Sequence, residues 1–288
     1  LLNSHHDTVK PNAGYTRDPF KATIENGILY GLGSNDAGGC LVGLISAFLY
    51  FYDKENLKYN FVLAATAEEE ISGEKGIAYM QPILPKIDFA IVGEPTLLDL
   101  AIAEKGLVVF DGKVIGTPGH AAHIPNEQNP VFIALKDLNW FKTYEFPKVS
   151  ESLGKVKMTV SQINAGKQHN VVPSELNFVV DCRVTDAYSN KEIAEIISEN
   201  TDSEVTPRSL RLNSSCIDPE HEFVKAGLKL GKHTYGSPTL SDQCRLTCQS
   251  VKLGPGDSLR SHSADEFIYV QEVKDGVQFY IDILRQIV

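Results

Sequence analysis

A chain of 288 residues is long for one domain and short for three. Its composition, 42% hydrophobic and 22% charged, is that of an ordinary globular protein, and no apolar run reaches the length of a membrane span. A net charge of −10 argues against nucleic acid or an anionic membrane as the main partner, and it leaves carboxylates to gather around cations.

The chain opens on LLNSHHDTV, an apolar pair and a polar cluster with no initiator Met and no signal peptide. It reads as the interior of a protein, and an N-terminal segment is expected to precede it. LLNS predicts a short strand ending at His5, His6 and Asp7. His5 and Asp7 share one side of an extended segment, so the carboxylate can orient the ring as it does for a metal-bound histidine. A surface polar turn is the plainer alternative. Next, Gly31, Gly33, Gly38 and Gly39 flank Asp36, and an apolar helix is expected from about Cys40 to Tyr52, apolar nearly all round and therefore buried. GLGSND matches neither GxGxxG nor a Walker A loop, and an acid there would repel phosphate. Asp36 reads as a cation ligand or as a helix N-cap.

YNFVLAA has the continuous apolar character of a buried strand, and it runs into Glu68, Glu69 and Glu70. The carboxyl ends of strands are where open α/β sheets bind ligands. Adjacent acids repel, so such a place needs a cation or a trapped proton; a solvated charge run is the bland alternative. EKGIAYMQPIL suggests a helix ended by Pro85, and DFAIVGEPT a buried strand ending at Glu94. Strand ends or adjoining turns thus carry His5/Asp7, Asp36, Glu69/Glu70 and Glu94, a pattern that points to one site.

From residue 105 the pattern changes. GLVVFDGKVIG reads as a long strand or a strand pair. PVFIALKDLNWF reads as a helix with Ile133, Leu135, Leu138 and Phe141 largely apolar. KVKMTVSQIN and ELNFVVDCRV alternate as strands, NKEIAEIISEN is an amphipathic helix with Ile193, Ile196 and Ile197 inward, and SEVTPRSLRLN is a last strand. This β-α-β-β-α-β order is that of a two-layer α+β sandwich. It predicts a ferredoxin-like insert over 105–212, dividing an α/β catalytic domain into 1–104 and 213–288. The second part offers His262 in a Gly/Ser-rich loop, then a helix with Val273, Val277, Ile281 and Leu284 on one face. The five cysteines (Cys40, Cys182, Cys216, Cys244, Cys248) are odd in number and scattered, which suits a reducing, cytoplasmic setting better than a disulfide scaffold. Cys244 and Cys248 are spaced for one helix face, without a second pair to complete a zinc knuckle.

In order, the chain holds HxD (His5, Asp7), GxxDxxG (Gly33, Asp36, Gly39), TxxEE (Thr66, Glu69, Glu70), GEPT at 93–96, GxxGH (Gly116, Gly119, His120), NVVP at 170–173, DxR (Asp181, Arg183) and GPG…SHSxDE at 254–266. Each motif is weak alone. Together, and over nearly the whole chain, they resemble the M20 metallopeptidases, the dinuclear zinc aminoacylases and deacylases, and within them the acetylornithine deacetylase and succinyl-diaminopimelate desuccinylase group.

The resemblance implies a zinc-peptidase-like catalytic domain with a mixed central sheet and an inserted lid and dimerisation domain. It implies two zinc ions, with cobalt able to substitute. His5 and Glu94 would hold one, Glu70 and His262 the other, and Asp36 would bridge them; imidazole and carboxylate suit zinc and leave room for water or substrate. Asp7 would orient His5, and Glu69 would be the general base, turned away from Glu70 by a mostly extended chain. Ions roughly 3.5–4 Å apart can polarise a scissile carbonyl and lower the pKa of water. His120 would stabilise the oxyanion, often in a partner subunit's site, and Asn170 and Arg183 would bind the substrate carboxylate. A turn residue and a strand-surface cation are the respective alternatives. His123, His169, His221 and His233 have no motif support. Many relatives carry Lys two residues after the bridging Asp, where this chain has Gly38, and Glu68 stands where Asp is usual, its role open. The expected function is hydrolysis of an N-acyl amino acid by a cytoplasmic homodimer: N-acetylornithine in arginine biosynthesis, then an N-succinyl amino acid. A dipeptidase or aminopeptidase on the same scaffold and, more remotely, a non-enzymatic binding protein are the alternatives. The acyl group is set by pocket shape, which spacing does not report.

Overall fold

Short strands from both ends of the chain pair into one mixed sheet. Its order is Ser215–Cys216, Leu100–Glu104, Gln249–Lys252, Phe89–Val92, Leu2–His5 and Leu63–Thr66, with Thr234–Ser237 also on Leu100–Glu104. The computed structural model describes residues 1–288, in two units: Leu1–Glu104 with Ser215–Val288, and Lys105–Ser214.

In the first unit, Leu2–His5 lies parallel to both Leu63–Thr66 and Phe89–Val92, with His5 opposite Thr66 and Asn3 opposite Val92. Parallel pairing in this register brings three carboxyl ends to one edge. Helices Gly39–Phe51 and Val270–Arg285 pack closely where Gly43 faces Tyr280; a Cβ at 43 would lie 2.9 Å from the Tyr280 ring. The core between sheet and helices includes Leu2, Leu44, Ala47, Ile91, Val251 and Tyr280. A three-stranded sheet, Thr23–Glu25, Ile28–Tyr30 and Phe267–Tyr269, flanks the loop that carries Asp36.

The second unit is a four-stranded antiparallel sheet, ordered Glu204–Pro207, Gly106–Ile115, Glu175–Val184 and Lys157–Ala165, with helices Pro130–Thr143 and Asn190–Asn200. Burial alternates along Gly106–Ile115, as a half-buried strand requires. Val108, Phe110 and Val114 turn inward onto Phe141, Phe178, Ile193 and Ile197. At Gly112 a Cβ would lie 2.1 Å from the Phe178 ring, so only glycine fits. Ser189 and Glu192 close the start of Asn190–Asn200 with a reciprocal capping box.

Several elements differ from the sequence reading. Helix Gly39–Phe51 buries only the Cys40, Leu44, Ala47 and Phe51 side; Val42 and Leu49 are exposed, because sheet and partner helix cover one flank. The helix expected before Pro85 is a single turn, Ile77–Met80. In Pro130–Thr143 the buried stripe is Ala134, Asp137 and Phe141, whereas Ile133 and Leu135 are exposed. Asp137 is inside because its carboxylate receives the backbone N–H groups of Asp202 and Ser203. Cys244 and Cys248 do not share a helix: Asp242–Arg245 is a short 3-10 turn and extended chain follows. No helix is long and apolar enough to cross a membrane.

Candidate metal centre

The strand ends deliver the site. His5 closes its strand at 1% exposure, with Nε2 3.2 Å from Asp36 Oδ1 and 3.6 Å from Glu94 Oε1. Glu94 stands two residues past Phe89–Val92, and its Oε1 is buried without a hydrogen-bond partner. The other oxygen of Asp36, Oδ2, is 3.6 Å from His262 Nε2, which lies 3.0 Å from Glu70 Oε2. Two triads result, His5–Asp36–Glu94 and Asp36–Glu70–His262, each with its donor atoms within 4.8 Å of one another. Asp36 belongs to both and turns one oxygen toward each. An orphaned buried carboxylate oxygen beside imidazole nitrogen is a donor set that a borderline divalent cation satisfies.

Asp7 serves two neighbours. Its backbone carbonyl accepts from His5 Nδ1 at 3.0 Å, closer than its carboxylate at 3.4 Å, which turns Nε2 toward the acids. The Asp7 carboxylate accepts the backbone N–H groups of Glu69 and Glu70, at 3.3 Å each. The acidic segment is therefore not the extended chain the sequence suggested. Glu68 takes a left-handed φ of 61°, and the chain turns back with Gly73 N–H donating to Glu68 O at 2.7 Å. The Glu68 side chain accepts from Lys75 N–H at 2.9 Å, so this third acid closes the turn. The Gly38 departure also has a steric reason: a Cβ there would lie 2.5 Å from the Gly33 carbonyl oxygen.

Burial and mutual repulsion push Glu94, Glu69 and Glu70 upward. Burial, then the charge of Asp36, pushes Glu94 well above the carboxylate range, with Glu69 adding to it. Burial pushes Glu69 up to about 8 against the opposing charge of His5, with Asp242, Glu70 and Asp36 contributing. Glu70 rises through burial and the charge of Asp36, held back by His262. Burial disfavours charge on His5 too, but the Asp36 hydrogen bond and the charges of Glu94 and Glu69 outweigh it and push it up to about 11. For Asp36 burial is likewise outweighed, by His5, and it stays below its ordinary value. The cluster is short of positive charge, and cations would supply it.

His120, Asn170 and Arg183 belong to the second unit. Gly119–His120 pairs with Val171–Val172, and Ala121 N–H donates to Asn170 O at 3.0 Å, so His120 and Asn170 share one short ribbon. Arg183, on the long strand Glu175–Val184, has its fork on Asp181, at 2.9 and 3.1 Å. His221 caps helix Glu222–Lys229 by accepting Phe223 N–H. Two acids at this site carried no assigned role in the sequence. Asp242 is buried and receives the Thr66 hydroxyl at 3.0 Å. Glu266, inside the SHSxDE motif, receives three backbone N–H groups from the Asp36 loop. Asp242, paired with a hydroxyl far along the chain, leaves no spacing signal, whereas Glu266 closes the SHSxDE motif and its partners lie far along the chain.

Residues 1–286 match the family model described as peptidase family M20/M25/M40. The chain belongs to this family. It is 30% identical over 293 residues to the acetylornithine deacetylase of Buchnera aphidicola subsp. Schizaphis graminum, covering 95% of this chain and 77% of that one. It is 25% identical over 299 residues to the succinyl-diaminopimelate desuccinylase of Vesicomyosocius okutanii, covering 93% and 78%. The M20 metallo-carboxypeptidase Sso-CP2 of Sulfolobus solfataricus shares the fold, with a TM-score of 0.75 at 18% identity over 99% of this chain and 84% of that one. A dinuclear metal-binding M20 peptidase of Bacillus subtilis does so with a TM-score of 0.67 at 14% identity, covering 98% and 79%. The M20 chain is thus a metal-dependent amidohydrolase on the M20 peptidase-like α/β fold.

Proposed function

We propose that this M20 hydrolase cleaves the amide bond of an N-acyl amino acid, with N-acetylornithine as first substrate, in arginine biosynthesis, and N-succinyl amino acids second. The carrying observation is the pair of triads joined through Asp36. The deacetylase at 30% identity supports the acetyl substrate. His5 and Glu94 would hold one zinc ion, Glu70 and His262 the other, and Asp36 both. The ions supply polarisation of the scissile carbonyl and acidification of water. Glu69 takes a proton from the attacking water and returns it to the leaving nitrogen. Asp7 fixes His5 through its carbonyl and the Glu69–Glu70 turn through its carboxylate. The β-α-β-β-α-β order of Lys105–Ser214 supports a ferredoxin-like insert, which would serve as the lid and the surface through which two chains pair. From it His120 would donate to the oxyanion, and Asn170 and Arg183 would receive the substrate carboxylate, Arg183 trading Asp181 for it.

Glu69→Gln keeps the side-chain shape and removes the base. It is expected to leave zinc content near wild type and to lower kcat by about 100- to 10,000-fold. Turnover within a few-fold of wild type would refute the assignment. N-acetylornithine, N-succinylornithine and a dipeptide panel, assayed side by side, decide the substrate. A preference for dipeptides would replace the deacylase reading by a peptidase one.

A further inference from the structure

The loop that delivers His262 also grips the loop that carries Asp36. Glu266 is 1% exposed and belongs to neither triad. Its Oε2 accepts the Gly33 N–H at 2.9 Å, and its Oε1 accepts those of Asn35 and Asp36, each at 2.9 Å. Its backbone carbonyl accepts Gly31 N–H at 3.1 Å. N–H groups of one short segment converging on one point make an anion-binding concavity, filled here by the chain's own carboxylate, while the intervening Ser34 N–H donates to Gly31 O at 3.0 Å. Asn35, fully buried, adds a second clasp: Nδ2 donates to Asp257 O at 3.0 Å, and Oδ1 accepts Asp257 N–H at 3.1 Å. Next to Glu266, Asp265 accepts the N–H groups of Thr16 and Arg17 at 2.9 Å each, and Asn12 Nδ2 donates to the His262 carbonyl at 3.2 Å.

These clasps answer a physical need. Asp36 lies in a stretch with glycines at 31, 33, 38 and 39, and such a backbone is permissive. Without anchors it would move Asp36 relative to the strand ends. His5 and Glu94 depend far less on Glu266, because parallel strands with backbone ladders place them. His262 stands on a loop, at a left-handed φ of 60°, four residues before Glu266. Charge-assisted hydrogen bonds to a buried carboxylate are the strong kind and hold geometry. We propose that Glu266 is a positioning residue for the metal centre: it presets the backbone at Asp36 against the His262 loop, and with it the Asp36–Glu70–His262 triad. The inference rests on the dinuclear reading given above.

The experiment titrates zinc into metal-free wild type, Glu266→Gln and Glu266→Ala against a chromophoric chelator. Cobalt absorption reports coordination, and the melting temperature of each metal-free form is recorded. Two ions on wild type uphold the underlying reading; none would remove it, and the inference with it. With two ions on wild type, the variants are expected to lose about 10- to 100-fold in affinity at one site. The other site shares Asp36 but takes His5 and Glu94 from the sheet, so it should lose less; the cobalt spectrum should change, and kcat should fall with KM nearly constant. Unchanged affinity at both sites overturns the proposal. So does an equal loss at both sites accompanied by a lower metal-free melting temperature, which marks a general structural role. Should Glu266→Gln and Glu266→Ala not fold, Glu266→Asp keeps the charge, shortens the reach and is read the same way.

Discussion

Asp242 shows how a single buried acid can be read energetically. Thr66 Oγ1 donates to its Oδ2 at 3.0 Å and accepts from Asn3 Nδ2 at 2.9 Å, a buried chain beneath the ends of two strands. Burial pushes its carboxyl up to about 6, with Asp7 and Glu104 contributing and the Thr66 hydrogen bond and His5 opposing. The unfolded chain releases this proton near pH 4, whereas the folded one holds it until about pH 6. Stability is therefore highest below the unfolded pKa, falls as pH rises between the two values, and stays lowered above, by about 3 kcal/mol at most. Asn at 242 keeps an acceptor for Thr66 and carries no charge. Asp242→Asn is expected to stabilise the metal-free protein, by a margin that grows from about pH 4 to about pH 6 and then levels off. Urea unfolding of both proteins across that range checks it, and a margin independent of pH would show that the carboxyl pays no burial cost. Asp242 was not legible in the sequence, because its burial comes from distant strands. Glu69 and Glu70 were, because neighbouring acids at a strand end require an explanation within the sequence itself.

At the scale of elements, legibility followed burial on both sides. The run DFAIV read as a strand because Phe89–Val92, buried throughout, demands continuous apolar sequence; LLNS buries the polar Asn3 and Ser4, and FVLAA ends on an edge strand with Ala65 exposed, so both follow that pattern less closely. Helices were harder, because periodicity reports what is apolar and not which flank is covered. Gly39–Phe51 shows this with its exposed Val42 and Leu49, and Pro130–Thr143 with a buried Asp137 that its sequence would place in solvent. The turn at 66–73 escaped because its geometry is set by Asp7, far away along the chain. Polar pairs joining distant elements are equally silent. Lys252, at the end of Gln249–Lys252, is 3% exposed and lies 3.1 Å from Glu104 Oε2 at the end of Leu100–Glu104, itself fully buried. Burial disfavours the ammonium, yet Glu104 and Glu94 outweigh it and raise its pKa. Ser241 Oγ donates to Glu104 at 2.7 Å, and Lys252 donates to Thr239 O at 3.2 Å. Lys252→Met would leave Glu104 charged, buried and without its cation, at a cost of about 3–5 kcal/mol. Adding Glu104→Gln should recover most of it, since removing both charges avoids the uncompensated one. Denaturant unfolding of the single and double variants checks this, and a single-variant loss below about 1 kcal/mol would show that the pair is not coupled.

Across the whole molecule the candidate metal ligands are unevenly distributed. All the triad residues lie in the unit formed by Leu1–Glu104 and Ser215–Val288, while Lys105–Ser214 holds none of them. Without cations the first unit keeps Glu69, Glu70 and Glu94 beside Asp36, where burial and repulsion act against ionisation of the three glutamates. Cations binding there would stabilise the folded state by mass action, by about 4 kcal/mol when free metal exceeds its dissociation constant a thousandfold. For a unit of this size each kcal/mol moves the melting temperature by roughly 2–4 °C, so chelation should lower it by on the order of 10 °C. Zinc should restore both the melting temperature and the activity. Hydrogen exchange localises the effect. Protection should rise at Leu2–His5, Phe89–Val92 and the loops carrying Asp36 and His262, and stay unchanged at Gly106–Ile115 and Glu175–Val184, whose amides lie in the unit without ligands. A chelator that abolished activity without moving the melting temperature would mean that the acids are held together by the fold alone. Protection gained equally in both units would mean that the ions act somewhere other than the two triads.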